Sequence, residues 1–313
     1  VDSWRGQTKP LIANTLRGFA IGTADLVPGV SGGTIALLLG IYNRLIETIA
    51  QMVAGLTQLL RGNASQAEAQ FKELPWLFIL SLIVGIVAAV FSLAPLMSWL
   101  LEQYPEEMAG VFSGIVLAAI ATAWQTSRHN AQSKFHPLEV LVAAAVAAGL
   151  FVLLGISAEP HADPTLIIFF GSGALAICAM VLPGISGSFL LLIIGMYGST
   201  LEAVSDRELQ KLLVLLAGAV VGLAVFTPGI KLCLNSAPRI TNSVLLGLLV
   251  GSLRVLWPWP DGVGMVSEDS SKAIDGTKLQ WPTWEEAWSP ILLGIGFGAL
   301  IFVLSRLKPA NPE

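Results

Sequence analysis

Charge is scarce in this chain of 313 residues, where Asp, Glu, Lys and Arg together make up 12%. A soluble domain carries about twice that share, so an ordinary water-facing surface is excluded. Histidine is scarcer still: His129, His136 and His161 are the only ones. None stands beside the motifs below, and no His/Cys/Glu grouping has metal-ligand spacing, so neither a metal nor another cofactor is expected. Cys178 and Cys233, the only cysteines, lie in apolar stretches and read as buried thiols, not as a disulfide framework. No GxxxxGK[ST] loop occurs, which removes that route to a nucleotide and to ATP energy. A net charge of −4 offers no basic face for nucleic acid. Arg5 and Lys9 lead into a segment holding Asn14, Arg17 and Asp25, which does not resemble a cleavable signal.

What the chain has instead is oil. Hydrophobic residues make up 54% of it, and the mean hydropathy is +0.74. Apolar runs recur at about 75–101, 107–124, 137–157, 209–233, 241–257 and 289–306. A hydrocarbon core takes roughly 20 residues per helix, so the expected fold is an all-α polytopic membrane protein. Most tryptophans stand at the ends of these runs, as interfacial anchors do. The loop from Pro258 to Pro290 is acidic, with Asp275-Gly276 as its expected turn.

One phrase occurs twice. "DLVPGVSGGTIALLLGIY" begins at Asp25 and "MVLPGISGSFLLLIIGMY" at Met180, an offset of 155 from Pro28 to Pro183. Gly18 and Gly173, Ser31 and Ser186, Tyr42 and Tyr197, and Glu47 and Glu202 match at that offset. Pro95 and Pro228, then Gly114 and Gly247, match at 133. The chain is therefore a duplication, with a longer polar connector, Gln51 to Glu73, in its first half. Each half reads as a re-entrant helical hairpin plus three transmembrane helices. The first spans 1–157 with its hairpin at 10–50, and the second spans 165–307 with its hairpin at 165–204. Each half crosses the membrane an odd number of times, so the second is inverted relative to the first. Most Lys and Arg, among them Arg5, Lys9, Arg61, Lys72, Lys231 and Arg239, then fall on the side of both termini. The opposing side holds Arg207, Lys211, Lys272 and Lys278. The positive-inside rule places the termini in the cytoplasm.

Broken backbone inside a membrane is tolerated where protein buries it or water reaches it, and paired breaks in inverted repeats mark substrate sites. At the first elbow a helix is expected to start near Ser31 or Gly32, with free N–H groups and the positive end of its dipole facing the break. Gly32 and Gly33 admit a ligand to the backbone, and Ser31 and Thr34 add hydroxyls. Ser186, Gly187 and Ser188 repeat the set. Such ends suit an anion, although a tight turn for close helix packing uses the same residues. Each ionisable group inside a membrane costs about 2.5–3.5 kcal/mol or more, which makes Arg17, Asp25, Arg44, Glu47, Glu202 and Arg254 functional candidates. Arg44 and Glu47, three apart, also suit a plain ion pair. Asp25 is the first choice for proton coupling, and capping of the following turn is its structural alternative.

"ADLVPGVSGGTIALLLGIYNRLIETI" with "LPGISGSFLLLIIGMY" resembles the bacterial polyprenyl-phosphate transporter family over nearly the whole chain. The resemblance implies a flippase that returns undecaprenyl phosphate across the cytoplasmic (inner) membrane for reuse. No enzyme is expected, since no catalytic grouping stands near an elbow, and coupling to an ion is expected because ATP is not the energy source. Carried over by residue, the family's motifs fall on Asp25, Pro28, Gly29 and Ser31 to Thr34, and on Pro183, Gly184 and Ser186 to Ser188. Met180 stands at the counterpart of Asp25. The phosphate would meet the elbows and one of Arg17, Arg44 or Arg254, with Glu47 and Glu202 as further coupling candidates. The implied partners are the polyprenyl-phosphate lipid and the surrounding membrane lipids, with a homodimer left open. A transporter of a small soluble anion and a lipid phosphatase are the competing expectations.

Overall fold

The computed structural model describes residues 3–27, 29–130, 137–156, 164–260 and 279–306. Pro28, the Asp275-Gly276 turn, His136 and His161 lie outside them. Among the described residues the chain forms thirteen α-helices and no strand. First come α1 (Ser3–Asp25), α2 (Gly32–Leu38), α3 (Tyr42–Leu60), α4 (Ala64–Glu73), α5 (Trp76–Gln103), α6 (Pro105–Asn130) and α7 (Pro137–Leu153). Then follow α8 (Leu166–Val181), α9 (Gly187–Ile193), α10 (Tyr197–Ser205), α11 (Leu209–Ser236), α12 (Pro238–Ser252) and α13 (Trp284–Arg306).

The sequence duplication reappears in the backbone. α2 and α9 are each 7 residues long, and α5 and α11 are each 28, with Pro95 and Pro228 inside. Gly29 and Gly184 take φ of 86° and 88°, a left-handed conformation that glycine adopts without penalty. The second arm of each hairpin is not continuous. Where the sequence offers one arm from the elbow to the end of the hairpin at residue 50, α2 ends at Leu38 and α3 starts at Tyr42, with Gly40 at φ 70° between them. Gly195, also at φ 70°, breaks the second hairpin, where α9 and α10 meet at 114°. The connector expected from 51 to 73 is largely helical, as the rest of α3 and as α4.

Glycines set the helix pairing. Gly18 lies against Leu82 and Gly22 against Ile86, so α1 and α5 run parallel. A Cβ on Gly22 would come within 2.8 Å of the Ile86 carbonyl oxygen, so the two backbones touch as small residues allow in membranes. Gly218 on Phe170 and Gly222 on Ala174 set α8 parallel to α11. Gly110 on Pro290 and Gly114 on Gly294 do the same for α6 and α13, and Gly247 on Ala143 and Gly251 on Ala147 for α12 and α7. The helices that follow each hairpin therefore cross over: α6 pairs with α13, and α7 with α12.

Two polar contacts mark the ends of the bundle. Ser289 Oγ donates to Glu107 Oε1 at 3.1 Å where α6 and α13 begin. Arg239 Nε lies 3.8 Å from Glu139 Oε1 where α7 and α12 begin, at the opposite end. By the register of Gly18 and Gly22, Asp25 stands level with Ala89, roughly halfway along α5.

The outer faces are apolar. Phe91 is 82% exposed and Val225 75%, positions that water would penalise and lipid accepts. α5, α6, α11 and α13 are long and apolar enough to cross a membrane, and α9 with α10 adds a bent candidate. α7 has 17 residues and α12 has 15, short of the ~20 of a straight span. The helix expected at 241–257 stops at Ser252, because residues 253–256 turn to pack beside the first elbow. The buried thiol expected at Cys233 is a correction: its side chain is exposed, and Cys178 is half-buried, both as free thiols. An apolar outer surface offers a thiol the same surroundings as a core.

Candidate functional site

Each elbow is a helix end, a left-handed glycine and a capped helix start. At the first, α1 stops at Asp25 and Gly29 reverses the chain. Ser31 is extended, with φ −116° and ψ 134°, and its Oγ accepts the Gly33 N–H at 3.1 Å. That is an N-cap, as expected of Ser ahead of two glycines. Gly32 N–H donates to Asp25 Oδ1 at 2.7 Å, so a carboxylate of the protein itself already sits at the start of α2. The rest of the Asp25 residue is exposed.

The two elbows touch. Ser31 Oγ lies 3.2 Å from both the Met180 and the Leu182 carbonyl oxygens, sharing its one proton between them. Tyr42 donates its hydroxyl to the Val181 carbonyl at 3.2 Å. Thr34 Oγ1 accepts the Gly184 N–H at 2.9 Å. Hydroxyls of the first hairpin thus satisfy carbonyls that α8 leaves open at its end. Ser31 is 2% exposed and Thr34 0%. Gly33 is held to its size by the Val181 and Met180 carbonyls, each within 3.3 Å of where a Cβ would stand.

The second elbow is built alike but chemically emptier. No side chain caps α9, and Ser186 and Ser188 bond each other at 2.8 Å. Met180 occupies the place of Asp25: a Cβ on Gly187 would lie 2.6 Å from Met180 Cγ, as one on Gly32 would lie 2.7 Å from Asp25 Oδ2. One elbow therefore carries a carboxylate and the other a thioether.

The arginines flank the elbows. Arg17, two turns before Asp25, donates from Nη1 to Asn14 Oδ1 at 2.7 Å. Arg44 lies over the Phe78 ring at 4.4 Å and within electrostatic reach of Arg17. Among the described residues neither makes an ion pair, and the Arg44–Glu47 pair that the spacing allows is not formed. Glu47 and Glu202 are exposed on α3 and α10. Arg254 is elsewhere, over the Phe151 ring at 4.6 Å beside Gly155. It follows the end of α12, and its neighbour Val255 packs on Gly29. Arg17 and Arg44 lie toward the end where α7 and α12 begin, and Arg254 toward the other end. A cleft of about 530 Å³ runs between α6 and α13, with Leu117, Phe302, Leu253 and Trp257 among its lining.

Sequence reasoning missed Tyr42, Asn14, Phe78 and Phe151. A signal existed for the first: of the 3 tyrosines in the chain, Tyr42 and Tyr197 are a repeat pair.

The family described as VCA0040-like, undecaprenyl phosphate translocase-like, matches residues 21–274. The chain is 40% identical over 270 residues to a polyprenyl-phosphate transporter of Vibrio cholerae, covering 86% of this chain and 85% of that protein. It is 33% identical over 263 residues to a polyprenyl-phosphate transporter of Staphylococcus aureus, covering 78% and 86%. No solved structure matches. The duplicated elbows fall inside the matched residues, and the chain belongs to the undecaprenyl phosphate translocase-like family.

Proposed function

We propose that this chain flips undecaprenyl phosphate across the bacterial cytoplasmic membrane, returning the carrier to its cytoplasmic leaflet. The observation that carries this is the placement of cations about the joined elbows: Arg254 on one side, Arg17 and Arg44 on the other. A phosphate head arriving beside Arg254 passes the elbows and is received by two guanidiniums that no carboxylate neutralises. The apolar cleft between α6 and α13 favours a lipid over a small soluble anion, because a soluble anion has no use for it.

The architecture is two inverted halves, 1–157 and 165–307, with both termini cytoplasmic. The parallel pairing of α1 with α5 and of α8 with α11 supports it. So does the meeting of α7 and α12 at one end and of α6 and α13 at the other. Those contacts send α5 and its counterpart α11 through the bundle in opposite directions.

Transport is coupled to a proton through Asp25. Its carboxylate holds the Gly32 N–H, the group a passing phosphate would otherwise take. Two anions at one helix start repel unless one is protonated, and the second pKa of a phosphate monoester lies near about 6. Proton and lipid occupancy are thereby linked. Ser186, Gly187 and Ser188, which face no carboxylate of their own, then form the resting place for the head at mid-depth, together with the Gly32 N–H that a protonated Asp25 releases.

The test is a flipping assay in proteoliposomes with undecaprenyl phosphate and, separately, inorganic phosphate. Lipid movement that follows an imposed proton gradient is expected. Accumulation of inorganic phosphate with no lipid movement would return the reading to a soluble-anion transporter.

A further inference from the structure

We propose a second phosphate-lipid station on this chain, in the cleft between α3 and α11, that seats the head of a lipid phosphomonoester away from the elbows. For the identity of its lipid it rests on the transport reading above. The cleft measures about 520 Å³, within the range of small-molecule sites. One face of α3 lines it through Ala50, Ala54 and Arg61, and one face of α11 through Pro228, Lys231 and Asn235. These spacings of three, four and seven keep each set on a single helix face.

No carboxylate is among the lining residues, and among the described residues neither Arg61 nor Lys231 makes an ion pair. Lys72, Lys211 and Arg239 each sit beside a glutamate instead. Two unneutralised cations from different helices, aimed at one space at the edge of an apolar bundle, repel each other until an anion enters. The charge of that anion selects its class. A phosphomonoester carries about −1.5 to −2 near neutral pH and matches the pair, whereas the diester of a bulk phospholipid carries a single charge.

Arg61 supplies a planar fork, Lys231 a point charge and Asn235 an amide. Ala50, Ala54 and Pro228 leave room and an apolar wall for the first units of the tail, which inorganic phosphate would not fill. α3 also carries Arg44 in its first turn. One helix therefore links the elbow side to this cleft, and the head would move from one cation to the next along it.

Native mass spectrometry of the full chain, in nanodiscs of phosphatidylcholine titrated with undecaprenyl phosphate, tests the proposal. Wild type should bind two lipids per chain. Arg61→Gln with Lys231→Gln should bind one, the lost station weakening at least about tenfold. Arg17→Gln with Arg44→Gln should lose the other and keep this one. Ala54→Phe, which fills the cleft while keeping both cations, should repeat the loss with the protein still inserted. Unchanged binding in both cleft variants overturns the station. Equal displacement by phosphatidylglycerol overturns the monoester assignment, and displacement by inorganic phosphate overturns the lipid one. If wild type binds no undecaprenyl phosphate at either station, the transport reading fails with it. If only the cleft variants behave as wild type, that reading stands and this one falls.

Discussion

Thr34 Oγ1 accepts the amide proton of Gly184 at 2.9 Å, a buried bond between residues 150 positions apart. It fastens one hairpin to the other where both are broken. Thr34→Val keeps the shape and leaves a buried N–H without a partner, which costs about 1–3 kcal/mol. Thermal unfolding in detergent should show that loss, and Thr34→Ser should recover most of it. Equal stability of the valine and threonine proteins would mean that the elbows do not depend on this bond.

Paired cysteines test the crossed helix pairing. In a background with Cys178→Ser and Cys233→Ser, Glu107→Cys with Ser289→Cys should be joined by a short bifunctional thiol reagent, because the parent side chains meet at 3.1 Å. A membrane-impermeant thiol reagent should reach that pair from outside the cell, and Glu139→Cys only after permeabilisation. Labelling of both positions from one side sinks the inverted arrangement.

Arg17, Arg44 and Arg254 should divide their effects by leaflet. Arg17→Gln or Arg44→Gln is expected to weaken polyprenyl-phosphate binding from the cytoplasmic side about tenfold. Arg254→Gln is expected to slow entry from the outer leaflet and leave cytoplasmic binding unchanged. The arginine pair should be non-additive, since one phosphate meets both. Sided assays with a fluorescent lipid analogue resolve the two. Identical profiles for Arg44→Gln and Arg254→Gln would remove the two-sided scheme.

Asp25→Asn retains an oxygen to accept the Gly32 N–H and loses the titration. The protein should fold, bind polyprenyl phosphate as tightly or more tightly, and lose the pH dependence of flipping. Full pH response in that variant shifts the coupling to Glu47 or Glu202.

The elbows were legible because glycine, proline and serine are rare choices inside apolar runs, and a second copy at a fixed offset turns a weak signal into a strong one. The N-cap at Ser31 and the asymmetry between Asp25 and Met180 follow from the same letters. What the letters hid is pairing. The hydroxyls of Ser31 and Thr34 serve a ligand and a neighbouring elbow equally well, and only the meeting of the two hairpins assigns Ser31 as a donor and Thr34 as an acceptor across it. The second break, at Gly40 and Gly195, was printed twice in the sequence as well. An isolated glycine in a helical pattern is often tolerated, so it was less conspicuous than Pro-Gly. The early end of α12 at Ser252 is set by packing of Val255 on Gly29, a contact no local pattern encodes.

The crossed pairing of α6 with α13 and of α7 with α12 has a consequence for biosynthesis. A ribosome delivers the first half complete, yet α7 lacks its main partner until α12 is made, and α6 lacks its own until α13, the last segment, leaves the exit tunnel. Through those intervals the small-residue faces of α6 (Gly110, Gly114) and α7 (Ala143, Ala147) are open to any passing membrane segment. Chains that stall or are truncated before Trp284 should accumulate with the α6 face unmatched, as substrates for membrane quality-control proteases. Neither half on its own should survive in the cell, whereas the two supplied together as separate polypeptides should rescue each other.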